Sequence, residues 1–424
     1  MKIILLFGAG KSATVLIDYL LAEAAANNWR VIIADANKDQ IIGKTNNSPF
    51  AEAIQLDITN DADRSQIIQQ ASIVISMMPP SLHFLIAKDC VEYGKNLLTA
   101  SYLDEAIRGL KAAVERKGLL FICEMGLDPG IDHMSAMKII DTIKLNGGTV
   151  TSFKSHCGGL VAPQSDDNPW HYKVSWNPRN VVMAGRTGAE YKENNTIHQK
   201  NYAELFEDCS RVNVVGHGEL ATYPNRDSLG YTPLYKLESA ATFVRTTLRH
   251  PDFCKGWYAI VLADLTNDTI TIDPTALTYK SWSASIKPFV DDSNQGMLEF
   301  LGLFSEELIP STSKTSADIL QFLLETKLGM KQNDKDMVIM LHEIEWLDKG
   351  QVHKIDSSLI VVGEDNLHTA MAKTVGLPLG ITTKLILDGV IQLTGIHIPI
   401  HKEIYEPVLA GLEIKGIKFN ETHY

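Results

Sequence analysis

The octapeptide Gly126-Leu127-Asp128-Pro129-Gly130-Ile131-Asp132-His133 sets two carboxylates and an imidazole among two glycines and a proline. Glycine and proline cannot continue a regular element, so the chain turns here, and the ionisable groups exceed what a plain turn needs. A carboxylate held on such a turn can stabilise an adjacent cation or exchange a proton, and Asp128 is the first candidate for that work. His133 reads as a packed histidine at a helix start rather than as a catalyst. Further on, Tyr223-Pro224-Asn225-Arg226-Asp227-Ser228 and Thr246-Thr247-Leu248-Arg249-His250 each place a guanidinium among hydroxyl and amide groups. Two such centres in an acidic chain suggest bidentate capture of carboxylates, whereas either arginine alone reads as a structural salt bridge. Cys157 is a proton partner if its thiol is perturbed, against the plainer reading of a half-buried structural cysteine. His342-Glu343-Ile344-Glu345 alternates as a strand does and lacks metal-ligand spacing, so no metal is expected.

The elements that position these residues begin at the first residues. Ile3 to Phe7 is an apolar run of strand length, followed by Gly8-Ala9-Gly10-Lys11-Ser12-Ala13 and a helical pattern carrying Leu16, Ile17, Leu20, Leu21 and Ala24 on one face. In a strand-turn-helix of this kind Gly8 allows the tight turn, Gly10 lets a pyrophosphate approach the backbone, and Ala13 permits close helix packing. The free N–H groups at the helix start face the phosphates. A second strand, Val31 to Ala34, ends at Asp35, where a carboxylate accepts hydrogen bonds from both ribose hydroxyls; a 2′-phosphate would meet its charge, so Asp35 favours NAD over NADP, with Lys38 near enough to soften the preference. Strands near 53–56, 73–76, 96–99 and 119–123 alternate with helical stretches 62–69, 82–93 and 103–117, which predicts a doubly wound parallel sheet of six strands. Ligands bind beyond the carboxyl ends of such strands, selecting Asp57, Met77-Met78-Pro79 and Ala100-Ser101-Tyr102 as cofactor-side residues.

After the octapeptide the texture changes. A helix is predicted over 134–145, ended by Gly147-Gly148, then strands over 150–157 and 173–183 of a separate sheet, with a polar loop from Gly158 to Trp170 between them and a second loop-like cluster at Ser175-Trp176-Asn177-Pro178-Arg179. Periodic stretches at 297–308 and 316–327 read as an inserted helical region of about 293–332, and 337–346 and 358–362 as strands that rejoin the substrate sheet. A helix is predicted to start at Ala370 and to be interrupted at Gly376-Leu377-Pro378, the chain continuing as 382–393.

Composition narrows the class. The chain has 424 residues, 45% hydrophobic and 21% charged, enough for two or three domains with a sizeable core. A net charge of −12 argues against nucleic acid or an anionic membrane as the main partner. Five cysteines without a CxxC pair suggest free thiols in a reducing compartment. The short apolar start is unlike a signal sequence, and no later run reads as a membrane span, so a cytoplasmic protein is expected.

The segments GLDPGIDH at 126–133, CGGL with AP and DNP at 157–169, YKVSW at 172–176, PNRDS at 224–228, TLR at 247–249, AMAKTVG at 370–376 and KEIYEPVL at 402–409 run in one order along nearly the whole chain. Together they resemble saccharopine dehydrogenase of the glutamate-forming type, or saccharopine reductase. The resemblance implies an NAD(P)-dependent oxidoreductase of lysine metabolism, acting on CH–NH. Such an enzyme joins L-glutamate to 2-aminoadipate 6-semialdehyde as an imine and reversibly reduces it to saccharopine, and it is a homodimer. Two alternatives are a related dehydrogenase acting on a polyamine or other amino-acid-derived imine, and a non-catalytic NAD-binding regulator.

By the same resemblance Ser101, Tyr102, Asp128, Arg226, Thr247, Leu248 and Arg249 contact substrate, with Asp128, Tyr102 and Cys157 the candidates for catalysis. Gly8, Ala9, Gly10, Lys11, Ser12, Ala13, Asp35, Asp57, Met78, Ala100, Ser101, Leu127, Asp128, Pro129, Gly130, Ile131, Asp132, His133, Met134, Ser175, Trp176, Asn177 and Pro178 line the cofactor. A Rossmann domain of 1–127 with a return of about 377–424, and an α+β substrate and dimerisation domain of 128–376, complete the expectation. The chain departs from NADP-using members at Asp35, where they carry a basic residue, and at His156, Trp170 and Ala100, which would reshape the pocket.

Overall fold

The run Lys2–Phe7 forms β1, an interior strand of a wholly parallel sheet, because Ile4, Leu5, Leu6 and Phe7 are buried and can be covered only from both faces. Each such side chain contributes about 1.5–3 kcal/mol on burial. In the computed structural model, which describes residues 1–424, β1 is flanked on one side by β2 (Trp29–Asp35) and β3 (Ala51–Gln55) and on the other by β4 (Ile73–Ser76), β5 (Asn96–Thr99) and β6 (Leu120–Ile122). A seventh strand, Gly395–His397, pairs with β6 at the edge, so the sheet has one strand more than the six predicted. The strand order reverses between β1 and β4, and ligands bind at the carboxyl side of such a reversal.

Two compact units result, Met1–Thr142 with Met371–Lys418, and Ile143–Ala370 with Phe419–Tyr424. The unit boundary therefore falls inside the helix Ile131–Leu145 rather than at 127/128, which keeps the whole octapeptide with the nucleotide sheet. The tail does not end there: Asn420–His423 pairs antiparallel with Gln351–Val362 of the other unit.

The second unit is built on a mixed sheet whose centre is β7 (Thr149–Val161), parallel to Thr242–Arg249 and antiparallel to Asp336–Asp348. β7 runs on through Gly158-Gly159, where a loop was predicted, because a side chain at Gly158 would lie 2.5 Å from the Leu248 carbonyl oxygen; only glycine lets the two strands lie this close. The strand predicted over 173–183 is instead an irregular segment ending in the short helix Pro178–Val182, since the Asn177 side chain accepts from the N–H groups of Arg179 and Asn180 and caps it. The helical region is larger than the predicted insertion and begins at Pro251–Leu262, whose Phe253 and Trp257 share an apolar cluster with Leu320, Leu323 and Leu324 of Ser316–Lys327.

The predicted interruption at Gly376-Leu377-Pro378 is absent. Ala370–Leu387 is one continuous helix, packed closely on the first helix of the chain, Thr14–Asn27: side chains at Gly376 and Gly380 would lie 2.8 Å from Leu16 N and 2.5 Å from Tyr19 Cδ1. At 18 residues this helix is long and apolar enough to cross a membrane, unlike any run noted in the sequence, yet 67% of it is buried inside the protein, as a core helix is.

Candidate active site

The first unit gathers the glycine turn, Asp35, Ser101, Tyr102 and the octapeptide at the carboxyl ends of its strands. Gly8 has φ +96°, and a side chain there would lie 2.9 Å from the Met77 carbonyl oxygen; over Gly10 there is open space. The first residue therefore must be glycine for the fold, and the second leaves backbone accessible, as a pyrophosphate cradle requires. The turn is tied to the end of β2: Ala9 N–H donates to Asp35 Oδ2 (2.7 Å), Asn37 N–H donates to Asp35 Oδ1 (2.9 Å), and Lys44 Nζ donates to the Ala9 carbonyl (2.7 Å) and to that of Gly10. Burial brings the Lys44 ammonium down to about 8 despite Asp35 and Asp18 beside it. Lys44 carries no motif that would have singled it out. Lys11 is exposed, Ser12 half-buried and Ala13 buried.

Asp57 is exposed at the end of β3, where it accepts from Thr59 N–H (2.9 Å) and Thr59 Oγ1–H (2.7 Å); those bonds hold its carboxyl below the usual range, and it shapes the turn into the next helix. Met78 is half-buried against the core beneath the sheet.

The octapeptide is folded around its glycines. A side chain at Gly130 would overlap the Gly126 backbone, within 2.1 Å of its oxygen, and Gly126 itself packs against Ala100. The Asp128–Pro129 peptide is cis. Glu124, two residues before Gly126, adopts φ +59°, a conformation costing about 1–3 kcal/mol for a residue with a side chain. Two bonds hold it there: Leu103 N–H donates to Oε1 (3.1 Å) and His133 Nε2 lies 2.8 Å from Oε2. Gly130 N–H donates to Asp132 Oδ1 (2.6 Å). Asp132 and His133 thus serve as buried braces, and with Ile131 and Met134 equally buried only backbone from this stretch is available to a ligand. Leu127, Pro129 and Gly130 are buried as well. From Leu119 to Met137 the single residue that is not buried is Asp128, which accepts a hydrogen bond from Tyr102 Oη at 3.3 Å. Ala100, Ser101 and Tyr102, directly after β5, are half-buried.

The second unit brings together Cys157, Thr247, Leu248 and Arg249. Cys157 is buried on β7 in register with Thr247, which is half-buried, while Leu248 is fully buried and packs at Gly158. Arg249 is buried, with its guanidinium over the rings of Tyr172 and Phe253 and Nη1 donating to the carbonyls of Leu248 (2.8 Å) and Gly159 (3.5 Å). Its Nε has no partner, and no carboxylate lies in ion-pair range of it. Arg226 differs: it is exposed, in the left-handed region at φ +54°, on a two-residue strand beside Ala189. Ser175 is buried, Trp176 and Pro178 half-buried, and Asn177 exposed as the helix cap.

Two residues expected to reshape a pocket are structural. Trp170 is fully buried, donating through Nε1 to the Met297 carbonyl (2.8 Å). His156 joins three strands, with Nδ1 2.7 Å from Thr246 Oγ1 and Nε2 3.1 Å from Glu343 Oε2. That bond, helped by Lys354, holds the Glu343 carboxyl at about 2 against its burial. Donor atoms of His171, His250 and Asp252 lie within 4.8 Å of one another. The two ring centroids lie 3.8 Å apart with the planes tilted by 34°, and His250 Nδ1 already accepts the Asp252 N–H at a helix start, so the cluster reads as a cap and a ring pair.

Comparison with known proteins follows this layout. Residues 4–122 match the saccharopine dehydrogenase NADP binding domain and residues 126–417 the saccharopine dehydrogenase C-terminal domain. Saccharopine dehydrogenase (NADP(+), L-glutamate-forming) of Saccharomyces cerevisiae is 32% identical over 450 residues, covering 99% of each chain. The mitochondrial alpha-aminoadipic semialdehyde synthase of Bos taurus is 33% identical over 445 residues, which are 99% of this chain and 47% of that protein; the chain spans about half the length of the mammalian relatives it matches. The solved structure of apo saccharopine dehydrogenase (L-Glu forming) from Saccharomyces cerevisiae matches over 100% of both chains with a TM-score of 0.88 and 30% identity.

Proposed function

Because this chain belongs to the saccharopine dehydrogenase family, we propose that it is an oxidoreductase of lysine metabolism that reversibly reduces the imine of L-glutamate and 2-aminoadipate 6-semialdehyde to saccharopine. The observation that carries this reading is Asp128, the one accessible side chain of a buried, glycine-fixed turn at the carboxyl end of the parallel sheet, hydrogen-bonded to Tyr102. Arg249 supports the substrate class: a buried guanidinium without a counter-ion is completed by a carboxylate, of which saccharopine has three. A polyamine-type imine, being cationic, would gain nothing there.

The glycine turn fits a dinucleotide, with Gly10 open for the pyrophosphate and Asp35 at the ribose position. When bound, the nicotinamide carries the hydride. The chain's own work is to hold the imine carbon in line, keep the imine nitrogen protonated and move protons during imine hydrolysis. The Asp128 carboxylate stabilises that protonated nitrogen, and Tyr102, donating to Oδ1, orients the carboxylate and relays a proton to it. Between the two cofactors we favour NAD, since Asp35 presents a negative charge at the ribose and Lys44, a cation beside it, is already bonded to two carbonyls of the turn.

The test is turnover of saccharopine with NAD and with NADP, followed at the absorbance of the reduced nicotinamide. A folded protein inactive with both cofactors overturns the reading. NADH binding without turnover of saccharopine or any related imine would favour a regulatory role instead.

A further inference from the structure

Beneath Ser101 lies a polar chain that the reaction described above does not use. His83, at the start of the helix His83–Tyr93, is buried, with Nδ1 2.7 Å from Ser76 Oγ at the end of β4 and Nε2 2.7 Å from Ser101 Oγ just past β5. Thr99 Oγ1 is a longer neighbour of Nε2, at 3.4 Å, and accepts the Ser101 N–H at 3.2 Å. The Ser101 carbonyl accepts the Glu124 N–H at 2.9 Å, so the Ser101 backbone is fixed on both sides and only its hydroxyl hydrogen remains to be directed.

Counting protons settles that direction. A neutral imidazole has one N–H and one lone pair. With the proton on Nδ1, His83 donates to Ser76 Oγ, and the Ser76 hydroxyl hydrogen, on a fully buried side chain, loses its acceptor; Ser101 and Thr99 then compete for the lone pair on Nε2. With the proton on Nε2, Ser76 donates to Nδ1 and Nε2 donates to Ser101 Oγ. The second arrangement leaves fewer buried donors unmade, each of which costs about 1–3 kcal/mol. It also turns the Ser101 O–H away from His83. Burial brings the imidazole down to about 4, an effect the Asp104 carboxylate only partly offsets, so the ring stays neutral at working pH.

We propose that His83 is a positioning residue: as the Nε2–H tautomer, backed by Ser76, it makes Ser101 a hydrogen-bond donor to a carboxylate of the amino-acid substrate. The assignment of the ligand rests on the saccharopine reading; the tautomer does not. A hydroxyl free to rotate must be ordered when an anion arrives, whereas one whose oxygen is already accepting presents its proton without that cost.

Two measurements test it on the full chain. The 15N spectrum of the histidines is expected to show His83 as a neutral Nε2–H tautomer, unchanged from pH 5 to 9; an Nδ1–H tautomer, or titration in that range, overturns the proposal irrespective of any activity. In turnover, His83→Gln and Ser101→Ala are each expected to raise KM for saccharopine about tenfold, and His83→Gln to leave kcat and the Kd of NADH within about twofold of wild type. In the Ser101→Ala background, adding His83→Gln should change KM by less than twofold. Additive effects, or a shift confined to NADH binding, overturn the link from His83 through Ser101 to the substrate. Wild-type protein without saccharopine turnover overturns the functional reading and the ligand together and leaves the spectrum to judge the tautomer.

Discussion

If Asp35 selects NAD as proposed, replacing it by alanine should abolish that preference. Its carboxylate is fixed by the N–H groups of Ala9 and Asn37 at 2.7 and 2.9 Å, so it cannot swing away from a nucleotide lying on the turn. A 2′-phosphate carries about −1.5 to −2 charges. At about 5 Å each unit of charge meets about 1–3 kcal/mol of repulsion for effective dielectrics between 80 and 20. Asp35 is only half-buried, so the lower end applies and the total is about 2 kcal/mol. NAD further loses a hydrogen bond from ribose to a charged acceptor, worth about 1.5–3 kcal/mol. Together, at about 1.4 kcal/mol per decade, the ratio of kcat/KM for NAD over NADP should fall about two and a half to three and a half decades in Asp35→Ala. The assay is initial rates with saccharopine at varied cofactor. A wild-type protein that prefers NADP, or a ratio that moves less than about threefold on substitution, would refute the reasoning.

Asp128→Asn should lower kcat/KM for saccharopine by about 10²–10⁴, the range of positioned acid–base groups, with NADH affinity within a few-fold of wild type; a loss of only a few-fold across the pH range removes Asp128 from the chemistry. Arg249→Met should raise KM for saccharopine at least about a hundredfold while urea unfolding stays within about 2 kcal/mol of wild type, because an unpaired buried cation is replaced by an apolar chain; a large loss of stability with KM unchanged would make Arg249 purely structural. Glu343, held at about 2 in the fold, stabilises the protein above its unfolded value near 4.5 and loses that contribution as pH falls toward 2. Glu343→Gln should therefore flatten stability against pH in that window, measured by chemical denaturation, and have little effect on its slope above pH 6.

Much of the nucleotide sheet was legible because its strands are buried on both faces and read as unbroken apolar runs, and its turn because Gly8 is required by backbone geometry. The glycine-rich octapeptide was legible as a turn because Gly130 admits no side chain against the Gly126 backbone. What escaped was set by contacts distant in sequence. Gly158-Gly159 looks like a loop until Leu248 is laid across it, and Gly376-Leu377-Pro378 looks like a break until Leu16 and Tyr19 press on the helix. Arg249 and Arg226 read alike in the sequence as carboxylate-binding arginines, and only the fold separates them, burying the first without an anion and leaving the second exposed. His83 begins a helix in the sequence, with nothing to show that its two nitrogens meet serines from two neighbouring strands.

The edge strand Gly395–His397 has a consequence for how the protein is made. Residues 395–397 leave the ribosome only after all of Ile143–Ala370 has been synthesised, so β6 waits with an unpaired edge while the second unit is built. The helix Ala370–Leu387, whose Gly376 and Gly380 seat on Leu16 and Tyr19, is equally late, and until then that apolar surface of the first helix is bare. A nascent chain ending at Thr142 is thus a sticky intermediate, and in cells the first unit depends on translation running through to the last helices.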